Sequence, residues 1–196
     1  MTAIKPGLNR HDALIVVDVQ NDFLPDGALA VPNGDAVVPA LSRYIQIFLD
    51  EKLAVIATRD WHTPNHCSFA AQGGPWPPHC IAETPGAAFA AELDLETHAL
   101  IISKSTESDK DAYSGFDQTG LHNELQQRSI SRIFVGGLAT DYCVRSTVLD
   151  GLMLGYDVYL LVDAIQAVDV HAGDGGRAID EMTEKGATPI NFQQLV

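Results

Sequence analysis

Short apolar runs of strand length recur along this chain, and the stretches between them return an apolar residue every three or four positions. The runs fall at 13–19, 54–58, 99–104, 132–138 and 157–162, with a weaker one at 188–192. They are rich in Val, Ile and Leu, which reads as strands buried on both faces rather than on one. Between the first two, Val37, Val38, Leu41, Tyr44, Ile45, Phe48 and Leu49 keep a helical period, and segments 118–128, 141–154 and 173–185 follow suit. Gly155 and Gly186 stand where helix stops are wanted. Strand and helix in alternation constrain the fold to the α/β class, a three-layer sandwich with a central, mostly parallel six-stranded sheet and helices on both faces. A chain of 196 residues with no internal repeat and no Gly-, Ser- or Pro-rich linker is expected to be a single domain over 1–196.

Two stretches break the pattern, 59–85 and 105–117. Structureless loops longer than about 12–15 residues are uncommon in compact domains unless they carry function. The first holds Trp61, Phe69 and Trp76 with His62, His66, His79, Cys67 and Cys80, a composition that orders rather than solvates. It reads as an ordered loop fastened by a metal.

Charge and composition exclude some partners. Twelve basic against 26 acidic side chains give a net charge of −14 and leave no basic stripe, so nucleic acid is not expected. A neutral or cationic small molecule suits such a surface better than a polyanion. No apolar run reaches the roughly 18 residues of a membrane span, and residues 1–12 lack the apolar stretch of a signal peptide. Three cysteines, an odd number, are expected to be reduced thiols in a cytoplasmic protein. A homo-oligomer is compatible with the sequence, which leaves the assembly state open.

Reactive side chains gather at the ends of the expected strands, where open parallel sheets bind ligands. Asp18 stands near the end of the first, Asp60 just past the second, Lys104 at the end of the third and Cys143 beyond the fourth. Thr140 is the expected N-cap of the helix after the fourth strand, which puts Cys143 at its third position among unpaired amides. Those amides favour a thiolate, with a pKa in the range of about 3.5–7.5, and could also hold an oxyanion. Asp18 is the candidate base for the thiol proton, and Lys104 the cation that offsets the charge of an adjacent carboxylate. No histidine lies at a strand end, so a Cys-His pair has weaker support.

Asp60 and His62, two apart in an extended segment, point to one side, and a more distant histidine can complete a facial set. Nitrogen and oxygen ligands with open positions suit Zn²⁺, Fe²⁺ or Mn²⁺ in a catalytic role. A zinc-finger reading would need Cys67 and Cys80, which form no C-x-x-C pair.

The segments Val17-Asp18-Val19-Gln20-Asn21-Asp22-Phe23, Thr58-Arg59-Asp60-Trp61-His62, Trp76-Pro77-Pro78-His79-Cys80, Lys104-Ser105-Thr106 with Tyr113-Ser114-Gly115-Phe116, and Gly137-Leu138-Ala139-Thr140-Asp141-Tyr142-Cys143-Val144 resemble those of nicotinamidases. These enzymes, also called pyrazinamidases, are isochorismatase-like cysteine hydrolases. The resemblance runs in order from about Asp12 to Phe192, and the pairing of Asp-x-His with Trp-Pro-Pro-His is its most specific part. It implies a catalytic set of Asp18, Lys104 and Cys143, and a divalent metal on Asp60, His62 and His79, with His66, Ser68 or water to complete the shell. It further implies a cis peptide at Leu138–Ala139 that turns the Ala139 amide toward the site, and aromatic walls from Phe23, Trp76 and Tyr113. The implied reaction is hydrolysis of nicotinamide to nicotinate and ammonia through a cysteine thioester, a step of pyridine-nucleotide salvage. Alternatives are a superfamily member acting on a carbamoyl, ureido or isochorismate substrate, and a silent binding protein.

Overall fold

The structure is a computed structural model that describes residues 7–195. Half of the N-terminal stretch read for a signal peptide, residues 1–6, lies outside the described residues. Six strands, β1 (Asp12–Val17), β2 (Ala54–Asp60), β3 (Leu100–Lys104), β4 (Arg132–Leu138), β5 (Asp157–Gln166) and β6 (Thr188–Ile190), form one sheet in the order β3-β2-β1-β4-β5-β6. Every pairing in it is parallel. The helices are α1 (Val37–Asp50), α2 (Leu95–His98), α3 (Leu121–Gln127), α4 (Arg145–Met153), α5 (Asp174–Glu184) and α6 (Phe192–Leu195).

The alternation of side chains along β1 builds the three layers. Leu14 and Val16 pack toward α1, where Leu41, Tyr44 and Phe48 are fully buried. Ala13, Ile15 and Val17 face the other way, onto Leu121 and Leu125 of α3, Val148 of α4 and Met182 of α5. Each such large apolar side chain removed from water contributes roughly 1.5–3 kcal/mol, and together they hold the layers in register. The expected three-layer architecture is therefore present.

Several boundaries move. β2 runs to Asp60, so that residue ends the strand instead of following it, and β5 continues to Gln166, past the expected end at 162. Partnered on both sides by β4 and β6, β5 tolerates Asp163 because that carboxylate is satisfied by the Tyr44 hydroxyl at 2.7 Å and the Phe192 amide at 3.1 Å. Gly155 and Gly186 adopt φ of 88° and 117°, the left-handed stops expected of them. The segment 61–94, between β2 and α2, contains only single 3₁₀ turns and isolated bridges. Among the described residues no helix is long and apolar enough to cross a membrane.

The chain order of the sheet reverses between β1 and β4. A crevice opens at the C-terminal strand ends beside such a reversal, because the two flanking connections leave to opposite faces. The four candidate residues end or follow β3, β2, β1 and β4, the strands around that point.

Candidate active site

Asp18 directly follows β1 and is fully buried. Its backbone is left-handed, φ 48°, a conformation that costs a residue with a Cβ roughly 1–2 kcal/mol and that Asp tolerates better than most. The turn breaks β1 and swings the carboxylate across the strand end. Oδ1 accepts the Thr58 hydroxyl at 2.7 Å. Oδ2 lies 3.1 Å from Lys104 Nζ but makes no hydrogen bond, so one oxygen is satisfied and the other is free to take a proton.

Lys104 ends β3 with its ammonium at the centre of the site. Nζ donates to Asp60 Oδ1 and to the Ala112 carbonyl (3.1 Å), and reaches Cys143 Sγ at 3.5 Å. Burial alone would push the lysine down, but Asp18 and Asp60 outweigh it and hold the group well above its ordinary value, as a permanent cation.

Cys143 follows β4, whose Gly137 adopts φ 127° and passes so close to β1 that a Cβ there would lie 2.1 Å from the Val17 carbonyl oxygen. The Leu138–Ala139 peptide is cis, as the resemblance implied. Thr140 does not cap a helix. The residues Thr140–Val144 form a wide π-helical turn in which the amides of Tyr142 and Val144 both donate to Ala139 O (3.1 Å each), and α4 begins only at Arg145. Neither bond uses the Cys143 amide. Asp141 ties this turn to the loop after β5 by accepting the Val168 and Asp169 amides at 2.9 Å each.

The expected lowering of the Cys143 pKa is overturned. Burial pushes the thiol well up and the carboxylates of Asp18 and Asp60 add to it, so the pull of Lys104 loses. That direction favours the neutral thiol, so a role as nucleophile would call for a base. Asp18, within 4.8 Å of it, is raised too, because burial outweighs Lys104. A carboxylate with elevated proton affinity beside a buried thiol is the pairing that general-base chemistry needs.

The second cluster holds one donor atom each from Asp60, His62 and His79, all within 4.8 Å of one another. Burial raises Asp60, but Lys104 and His62 outweigh it and keep it ionised. His79 donates Nδ1–H to the Pro77 carbonyl at 2.8 Å, which leaves Nε2 as a lone pair, and burial favours its neutral form. Both ring nitrogens of His62 are buried without a partner. An unpaired buried imidazole is costly, and a cation between these three side chains would satisfy it. His66 stands beside them, its ring 4.2 Å from that of His62. Its nitrogens are already engaged by Ser68 Oγ (2.8 Å) and the Lys110 carbonyl (3.0 Å), so it joins the loop 61–94 to the loop 105–117. Ser68 is the partner of His66 in that bond.

Both clusters border one small pocket, lined by Cys143 and Ala139, by Asp60 and His79, and by Phe23, Leu29, Val31, Trp76, Tyr113, Tyr142 and Val168. The Trp76 indole donates to the Tyr113 hydroxyl at 3.0 Å, and Tyr142 meets the Trp76 ring edge-on at 5.1 Å. The expected walls Phe23, Trp76 and Tyr113 are thus brought together. A cleft of this size and apolar lining fits a small flat ring and not a polymer.

Thr58, Gln20 and Tyr142 belong to the site and were not anticipated. Thr58 and Asp60 alternate to the same side of β2, and Gln20 lies two residues after Asp18, so their positions next to the motif residues were the available signal.

Residues 12–194 match the family Isochorismatase domain, and the chain belongs to that family. Its relatives define the branch. It is 39% identical to the nicotinamidase of Escherichia coli, over 90% of this chain and 92% of that one, and 39% identical to the nicotinamidase/pyrazinamidase of Mycobacterium tuberculosis, over 87% and 93%. Among solved structures, the pyrazinamidase of Pyrococcus horikoshii in complex with zinc superposes with a TM-score of 0.89 at 48% identity, covering 93% of this chain and 99% of that one.

Proposed function

We propose that this protein is a nicotinamidase, which hydrolyses nicotinamide, and pyrazinamide with it, to the acid and ammonia. The observation that carries the reading is that a buried thiol with its base and a three-ligand cluster border the same small aromatic pocket. Only a substrate with an amide at one end and a ligating atom in its ring gives both clusters a task. The relatives named above support the same substrate, and the L. infantum PnC1 structure, in complex with nicotinate, is 35% identical with a TM-score of 0.89.

Asp60, His62 and His79 would hold a divalent cation, for which Zn²⁺, Fe²⁺ and Mn²⁺ all suit the donor set. Such a cation supplies an electrophilic anchor for the ring nitrogen and fixes the orientation of the amide. Phe23 and Trp76 sandwich the ring. Asp18 Oδ2 takes the proton from Cys143, and the sulfur attacks the carboxamide carbon. The amides of Ala139 and Cys143 donate to the oxyanion so formed. Asp18 returns the proton to the departing ammonia, then removes one from the water that hydrolyses the thioester and frees the thiol. Lys104 remains an ammonium throughout and balances whichever carboxylate is charged. We place the protein in the cytoplasm, since a catalytic thiol needs a reducing compartment.

The test is ammonia release from nicotinamide by metal-replete and chelator-stripped protein. We expect turnover in the first, loss of most of it in the second, and recovery on adding back zinc. Cleavage of a ureido or carbamoyl compound with no release from nicotinamide would overturn the reading.

A further inference from the structure

The left-handed turn at Asp18 leaves a defect in the sheet beside Asp60. Val17 pairs with Thr58, and the Asp18 amide still donates to the Thr58 carbonyl at 3.1 Å. Were β1 to continue in parallel register, the Asp60 N–H would next donate to the Asp18 carbonyl and the Asp60 carbonyl would accept the Gln20 N–H. Those two β1 groups instead bond to each other, Gln20 N to Asp18 O, at 2.8 Å. The backbone of Asp60, which is 5% exposed, is thereby left without a strand on that side.

The side chain of Gln20 fills the place. Its Oε1 accepts the Asp60 N–H at 2.8 Å, and its Nε2 donates to the Asp60 carbonyl at 2.8 Å and to the Ala87 carbonyl at 2.9 Å. Fully buried, this carboxamide reproduces the donor and acceptor of the missing peptide and spends its second N–H on the loop that follows the cation cluster.

We propose that Gln20 is a positioning residue for the cation site: its side-chain amide substitutes for the absent stretch of β1 and holds Asp60 in the ligand set. The proposal rests on the reading of Asp60, His62 and His79 as metal ligands. An apolar side chain at 20 leaves the Asp60 amide and carbonyl buried and unpaired, and the strand end shifts to find other partners. Groups that orient metal ligands carry about 10- to 100-fold in metal affinity.

The experiment measures zinc affinity of the stripped protein by competition with a chromogenic chelator, alongside its thermal midpoint without metal. Gln20→Met removes all three bonds, and Gln20→Glu keeps the acceptor for the Asp60 N–H while setting oxygen against the two carbonyls. Asn21→Ala is the control, because Asn21 Nδ2 ties the same loop through the Pro85 carbonyl at 2.8 Å without touching Asp60. We expect both Gln20 variants to bind zinc about 10- to 100-fold more weakly and Asn21→Ala to stay within about 2-fold of the parent. Parent-like affinity in Gln20→Met, an equal loss in Asn21→Ala, or failure of both Gln20 variants to fold would overturn the proposal. A parent protein that binds no zinc would instead sink the metal reading on which it rests.

Discussion

Lys104 divides the site into two corners whose carboxylates share one ammonium and respond to it in opposite ways. Asp18 and Asp60 are both buried and both contact Nζ. Burial wins at Asp18, where the carboxyl is raised, whereas Lys104 together with His62 wins at Asp60, which is lowered. The difference lies in what else each oxygen touches. Asp18 has a neutral hydroxyl on one oxygen and nothing hydrogen-bonded to the other, while Asp60 receives the direct ammonium bond and faces an imidazole. Two carboxylates driven apart by their surroundings are suited to the two tasks proposed for them, one to move a proton and one to stay anionic.

The largest test of that division is Cys143→Ala. It should lower kcat for nicotinamide by about 10⁴-fold or more while leaving zinc affinity unchanged, since the thiol, although near Asp60, is not one of the proposed ligands Asp60, His62 and His79. Weakened zinc binding would mean that the corners are not separable. Next comes Lys104→Met, which strands two buried carboxylates and should cost about 3–5 kcal/mol in urea unfolding of the metal-stripped protein. A loss below 1 kcal/mol would show that the shared ammonium does not bind the two halves together.

The contrast itself is read most directly through pH, in the metal-stripped protein. There the folded state holds a proton on Asp18 more tightly than the unfolded chain does. Its contribution to stability is complete below the ordinary carboxylate value of 3.8 and is lost as pH rises through the raised folded value. Asp60 acts in the opposite sense, its contribution being present above 3.8 and lost as pH falls toward the lowered folded value. At neutral pH, Asp18→Asn should therefore raise the urea midpoint, and Asp60→Asn should lower stability by about 1–3 kcal/mol. Shifts of the same sign in both variants would erase the distinction. The smallest effect expected is that of Tyr113→Phe, which removes the acceptor of the Trp76 indole and touches neither corner. It should raise KM by about 2- to 10-fold with kcat little changed.

Much of this was legible in the chain because the signals were local. Apolar runs at strand length and helical periods between them suffice for a doubly covered parallel sheet, and the strand-end positions of Asp18, Lys104 and Cys143 followed from that alone. What escaped depended on tertiary surroundings. The helix-terminus argument for a thiolate at Cys143 was sound for an exposed turn, but it could not weigh the burial and the two carboxylates that raise the thiol. The place of Thr140 changed because a π-helical turn, and not an α-helical one, follows β4. His66 is a candidate ligand by the resemblance, and only the fold shows its nitrogens engaged by Ser68 and Lys110. Gln20 could not be understood before the break in β1 was seen.

The pocket has a protective consequence as well. A sulfur with the proposed amide-opening role would be a hazard to the peptide bonds of other proteins. Cys143 is 6% exposed and lies in a small pocket walled by rings. A thiol so enclosed is kept from the backbones of other chains, so the chemistry can be intrinsically indiscriminate and still be selective through access, with the choice made at the doorway and not at the bond.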